Sequence, residues 1–106
     1  MSGIKAEVDG WISGKKVMMF SKTYCPYCKK AKAVFQKYMK DLTLSKDDYE
    51  VVEIDEMNEC DEIQDYLKEL TKARSVPRVF INGECIGGWD ETRRLDSKDK
   101  LKDLLS

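Results

Sequence analysis

The sequence predicts one α/β domain spanning residues 1–106, with a mixed four-stranded sheet and helices on both faces. Three observations predict it. Two β-rich stretches, 15–20 and 49–54, are each followed by a segment with helical apolar spacing, so the first half reads β-α-β-α and implies a parallel central pair with right-handed crossovers. Asn82-Gly83 then separates two short apolar runs, the strongest short-range hairpin signal, so an antiparallel pair closes the sheet. Short leucine-spaced or isoleucine-spaced helices flank this at both ends, giving α-β-α-β-α-β-β-α.

The elements follow in order. Ile4, Val8, Trp11 and Ile12 share one helical face over residues 3–12, and Gly14 ends that helix. Lys15 to Phe20 reads as a buried strand. Ala31, Val34, Phe35, Tyr38 and Met39 mark an amphipathic helix from about Pro26 to Lys40. After the polar connection Ser45-Lys46-Asp47-Asp48, Tyr49 to Ile54 is β-branched and apolar enough for a second strand. Ile63, Tyr66, Leu67 and Leu70 define the face of a helix over about 59–72. The hairpin pairs Arg78–Ile81 with Glu84–Ile86. Gly87-Gly88 makes the exit, Asp90 is the expected N-cap of the last helix, and Asp96-Ser97 is a place where that helix can break.

Composition narrows the function classes. Hydrophobic residues make up 42% and charged ones 37%, as in a soluble globular domain, and the net charge of −1 gives no reason to expect nucleic acid or an anionic membrane as partner. No window approaches the run of about 20 apolar residues that a membrane helix requires. Met1 to Trp11 has neither a secretory nor a transit pattern, so a cytoplasmic location is expected. Nothing in the sequence requires more than a monomer. In a reducing compartment the four cysteines read as thiols.

Two of those thiols carry the chemistry. Cys25 and Cys28 stand two residues apart where a strand hands over to a helix, and Pro26 suits the first helical position. Cys25 at the N-cap faces the unpaired N–H groups and positive end of the helix, with Lys22, Lys29 and Lys30 adding positive potential. It is expected to be held largely as a reactive thiolate. Cys28, one turn deeper, is placed to resolve a mixed disulfide formed on Cys25. A structural disulfide or a zinc site is the competing reading, but the loop is too short to stabilise much, and there is neither a second C-x-x-C nor any histidine. Cys60 and Cys85 read as structural or as sites of incidental oxidation, and Asp55-Glu56 and Asp61-Glu62 as solvated faces.

Cys25-Pro26-Tyr27-Cys28 at a strand-to-helix turn, Ser75-Val76-Pro77 before the hairpin and Gly87-Gly88-Trp89-Asp90 after it together resemble the glutaredoxin family over essentially the whole chain. Ile63 to Leu67 and Val76 to Ile81 look especially like the dithiol glutaredoxins of animal cytosol. The resemblance implies a thioredoxin-like fold and a glutathione-dependent thiol–disulfide oxidoreductase, with glutathione as reductant and co-substrate and no metal. Its partners would be glutathione and glutathionylated or disulfide-containing proteins. Cys25 alone would act on protein–glutathione mixed disulfides, and Cys25 with Cys28 on protein disulfides.

The resemblance also implies roles for further residues. Lys22, Gln64 and Arg74 would hold the glycine carboxylate of glutathione, work that suits charge-assisted hydrogen bonds. Pro77 would be cis, and the Val76 backbone would pair with the cysteinyl part as an added strand does. Gly87 and Gly88 would let the backbone approach closely, and the N–H groups that follow would bind the γ-glutamyl carboxylate. Asp90, with Glu91, would accept from the γ-glutamyl amine, and Tyr27 would line the site. Trp89 stands where relatives often carry cysteine or a small residue, which makes that rim bulkier. Ser75 replaces a commoner threonine, and Lys72 a turn glycine. Two other functions compete: a thioredoxin-type reductant, whose W-C-G-P-C surroundings are absent, and a module holding an iron–sulfur cluster between two subunits, against which Pro26 argues.

Overall fold

A computed structural model describes residues 3–106. Its elements are α1 (Gly3–Gly14), β1 (Val17–Ser21), α2 (Pro26–Lys40), β2 (Tyr49–Glu53), α3 (Cys60–Thr71), β3 (Arg78–Ile81), β4 (Glu84–Gly87), α4 (Trp89–Ser97) and α5 (Lys100–Leu105). The sheet order is β2-β1-β3-β4, with β1 parallel to β2 and antiparallel to β3, and β3 antiparallel to β4. This is the expected mixed sheet.

β1 is central and every one of its residues is buried, which is why Val17 to Phe20 is an unbroken apolar run rather than an alternating one. Successive side chains point to opposite faces. Val17 and Met19, with Val79 and Ile81 of β3, join Ala31, Phe35 and Tyr38 of α2 and Leu101 and Leu105 of α5 on one side. Met18 and Phe20, with Phe80, join Ile4, Val8 and Ile12 of α1 and Ile63 and Leu67 of α3 on the other. Phe20 meets Phe80 edge-on at 5.8 Å between ring centroids, a favoured aromatic geometry. The helix stripes are the complements of those two strand faces. Among the described residues no helix is long and apolar enough to cross a membrane.

Several boundaries differ from expectation. β1 begins at Val17 rather than Lys15, where the pairing with β2 and β3 starts, and the Lys15 and Lys16 ammonium groups donate to the carbonyls of Asp47 (2.9 Å) and Leu105 (2.6 Å). The terminal helix breaks at Lys98-Asp99, not at Asp96-Ser97. Asp96 stays helical with its carboxylate held by the Tyr38 hydroxyl and by Lys37 (3.0 Å), while Asp99 takes the left-handed conformation (φ 60°) that separates α4 from α5. α4 also starts two residues earlier than a cap at Asp90 implies: Gly88 is the N-cap, and the Glu91 carboxylate reaches back to accept from the Gly88 N–H at 2.7 Å. Lys72 adopts φ 71° at the end of α3, so a lysine occupies a left-handed cap that glycine would fill without strain.

Candidate active site

The turn from β1 into α2 presents the two thiols unequally. Cys25 is the N-cap of α2, in an extended conformation (φ −86°, ψ 114°), and its Sγ accepts from the Cys28 N–H at 3.2 Å. A sulfur here satisfies an amide that a helix start leaves orphaned. Its own N–H donates to Lys22 O at 3.1 Å and its carbonyl accepts from Lys29 N–H at 3.2 Å, so the backbone is pinned on both sides. Cys28 is fully buried, and burial, reinforced by its hydrogen bond with Cys25, pushes its thiol up to about 11. One thiol is partly exposed at a helix start; the other is held protonated beneath it.

The loop before Cys25 is tied to the end of β2. Thr23 donates its N–H (3.0 Å) and its hydroxyl (2.5 Å) to the two oxygens of Asp55, and the hydroxyl bond is the main reason the Asp55 carboxyl lies below its ordinary range. Asp55 therefore belongs to the site's scaffold rather than to a solvated face. That tie is unreadable in sequence, because it joins residues on two neighbouring strand ends.

The opposite wall comes from the segment before β3. The Val76–Pro77 peptide is cis, as expected, and Val76 O accepts from Cys25 Sγ at 3.8 Å, which places that carbonyl over the nucleophile. Between this segment and the start of α4 lies a cleft of about 440 Å³. Tyr27, Val76, Pro77, Gly88, Trp89, Asp90 and Glu91, seven of the expected binding residues, line it. Gly87 and Gly88 are needed there for different reasons. A Cβ on Gly87, at φ 117°, would collide with the Glu91 carboxylate, whereas one on Gly88 would lie 2.9 Å from Arg78 Nη2 and 3.1 Å from Pro77 O. Trp89 is partly buried, lining the cleft with one side and packing on the α2 side of the core with the other.

The cationic group is arranged differently. Lys22, Gln64 and Arg74 are not among the residues that line the cleft. Gln64 is buried on α3, where its amide donates to Arg74 O at 2.7 Å and its Oε1 faces the Cys60 thiol at 3.7 Å. Gln64 thus ties α3 to the loop carrying Arg74. Arg74 is exposed and paired with Asp65 at 3.2 Å and Asp61 at 3.9 Å. Lys22 Nζ lies 6.0 Å from the centroid of the exposed Tyr24 ring, and Lys30 Nζ lies 5.6 Å from that of Tyr27. Sequence reasoning missed Arg78, which lines the cleft beside Pro77. Its signal was present: it is the one charged residue in an otherwise apolar strand, R-V-F-I.

A family model described as Glutaredoxin matches residues 17–86, which contain both thiols, the cis-proline segment and the hairpin. The chain belongs to the glutaredoxin family. Glutaredoxin-1 of Rhizophagus irregularis is 42% identical over 106 residues, covering all of this chain and 98% of that protein. A monothiol glutaredoxin of Caenorhabditis elegans is 41% identical over 90 residues, and there the match covers 85% of this chain but 58% of the longer relative. Among solved structures, oxidized glutaredoxin 2 from Chlamydomonas reinhardtii superposes with a TM-score of 0.84 at 40% identity, covering 99% of this chain and 94% of that one. A buckwheat glutaredoxin–glutathione complex gives a TM-score of 0.79 at 32% identity over 94% and 84% of the two chains. Glutaredoxins are glutathione-dependent thiol–disulfide oxidoreductases, and that is the enzyme class of this domain.

Proposed function

We propose that this glutaredoxin reduces protein–glutathione mixed disulfides through Cys25 alone and protein disulfides through Cys25 with Cys28. The observation that carries the proposal is the inequality of the thiols: Cys25 caps α2 beside the cleft, and Cys28 is buried with its thiol pushed up to about 11.

In the first reaction the Cys25 thiolate attacks the glutathione sulfur of the mixed disulfide. A Cys25–glutathione disulfide forms, and the protein thiolate leaves and takes up a proton. A second glutathione, as thiolate, then attacks the bound glutathione sulfur, releasing glutathione disulfide and restoring Cys25. In the second reaction Cys25 attacks a protein disulfide, and Cys28 must lose its proton before attacking Cys25 and releasing the reduced protein. Two glutathione molecules then reduce the Cys25–Cys28 bridge. Because Cys28 is held as the thiol, it does not compete with the incoming glutathione in the first reaction.

The cleft supports glutathione as the occupant. The Val76 backbone faces Cys25 and offers strand-like pairing to the cysteinyl unit. The N–H groups of Trp89 and Asp90 open α4 toward the γ-glutamyl carboxylate, with the Asp90 side chain for its amine. Lys22 and Arg74 supply cations for the glycine carboxylate, and Gln64 acts there by holding the Arg74 loop. A cytoplasmic setting, rich in reduced glutathione, suits this chemistry.

A glutathione-coupled exchange assay tests the proposal. Cys28→Ser is expected to retain turnover of a glutathionylated peptide and to lose reduction of a protein disulfide. Loss of both activities in Cys28→Ser would overturn the division of labour.

A further inference from the structure

Arg78 is a cation that the reading above leaves without a task. It is partly buried and lines the cleft, its Nε donates to Pro77 O at 3.3 Å, and its Nη2 would lie 2.9 Å from a Cβ placed on Gly88. The guanidinium thus reaches from the cis-proline segment to Gly88, the N-cap of α4. Among the described residues it has no carboxylate at ion-pair distance. Its field lowers the Glu91 carboxyl, but the largest cause there is the Gly88 N–H, which Glu91 already holds.

That cap changes what α4 can offer a ligand. Glu91 takes the Gly88 N–H and draws on its own, leaving the amides of Trp89 and Asp90 for an incoming carboxylate. The same rim carries two negative side chains, Asp90 and Glu91, and Asp90 is only loosely paired, 3.8 Å from Arg93. Two amides facing two carboxylates make a poor anion site by themselves. The guanidinium, already partly desolvated and with donors to spare, supplies the missing positive charge.

We propose that Arg78 is a specificity-determining residue of this cleft, donating to the γ-glutamyl carboxylate of glutathione between the Pro77 segment and the α4 start. The proposal rests on the glutathione reading above and adds a ligand on the γ-glutamyl side. A methyl group at Gly88 would push the guanidinium out of this position.

The test compares two mixed disulfides of one peptide, with glutathione and with cysteinylglycine, which lacks the γ-glutamyl unit. Single-turnover transfer of the small thiol to the enzyme is measured against substrate concentration for the wild type, Arg78→Gln and Arg78→Lys. Arg78→Gln is expected to raise the half-saturating concentration of the glutathione adduct by roughly tenfold or more, the worth of a charge-assisted hydrogen bond, and to leave the cysteinylglycine adduct unchanged. Arg78→Lys should recover part of the loss. An undiminished preference in Arg78→Gln, or an equal loss with both adducts, would overturn the assignment while leaving the glutathione reading intact. A wild type with no preference between the adducts would overturn both.

Discussion

Two cysteines separated by two residues differ in this fold because one closes a helix end and the other lies in the core. The raised value of about 11 for Cys28 has burial as its main cause, and burial does not depend on the redox state of Cys25. Below that value the thiol form dominates, and each pH unit upward multiplies the thiolate fraction by about ten. Protein-disulfide reduction, which needs the Cys28 thiolate, should therefore rise with pH from 7 to 9 more steeply than turnover of a glutathionylated peptide. Parallel pH profiles for the two reactions would contradict this. At this scale the reactive pair was legible because spacing, Pro26 and the strand–helix handover are all local. Gln64 was not, since its commitment to Arg74 O depends on how α3 docks. Arg78 escaped because a charged residue at a strand start has an ordinary explanation on an exposed edge, and only the approach of Gly88 places its guanidinium in the cleft.

Among the elements, α4 shows most clearly how local and distant groups share control. Its start is set by Glu91 on the Gly88 N–H, and its last turn by Asp96, whose carboxylate is claimed by Tyr38 and Lys37 of α2. Sequence pointed to Asp90 as the cap because aspartate is the better N-cap residue. Glycine won because the reaching side chain comes from position N3. The Glu91 carboxyl lies below its ordinary 4.5, so its cap adds stability that is complete above that value and is lost as pH falls through the lowered one. Glu91→Gln should abolish this acid-sensitive component, seen as amide-exchange protection at the α4 start that no longer changes across pH 5 to 3. Persistence of the pH dependence would place the titrating group elsewhere. Asp96→Asn keeps a hydrogen-bond acceptor while discarding the charge, and is expected to leave α4 in place but weaken its docking on α2, lowering the thermal midpoint by a few degrees.

The whole molecule is organised around β1, whose alternate residues feed the two halves of the core. This level was the most legible, because a period of two in the strands and 3.6 in the helices is written directly in the apolar residues. The connection between the halves matters for the site: α2 carries the thiols on one side, α3 fixes the Arg74 loop on the other, and the sheet holds both against the cis-proline segment. Phe35 is fully buried at the centre of the α2 side. Phe35→Ala should cost about 3–5 kcal/mol, lower the thermal midpoint by well over ten degrees and reduce activity only through loss of folded protein. A stable Phe35→Ala protein with an altered ratio of the two activities would mean that this core half tunes the site directly. Exchange with glutathione at Cys25 alone is tested most directly by intact-mass analysis and peptide mapping of Cys28→Ser after brief exposure to a glutathionylated peptide. One glutathione per chain is expected, located on Cys25 and removed by added glutathione; an adduct on Cys60 or Cys85, or none at all, would contradict that assignment.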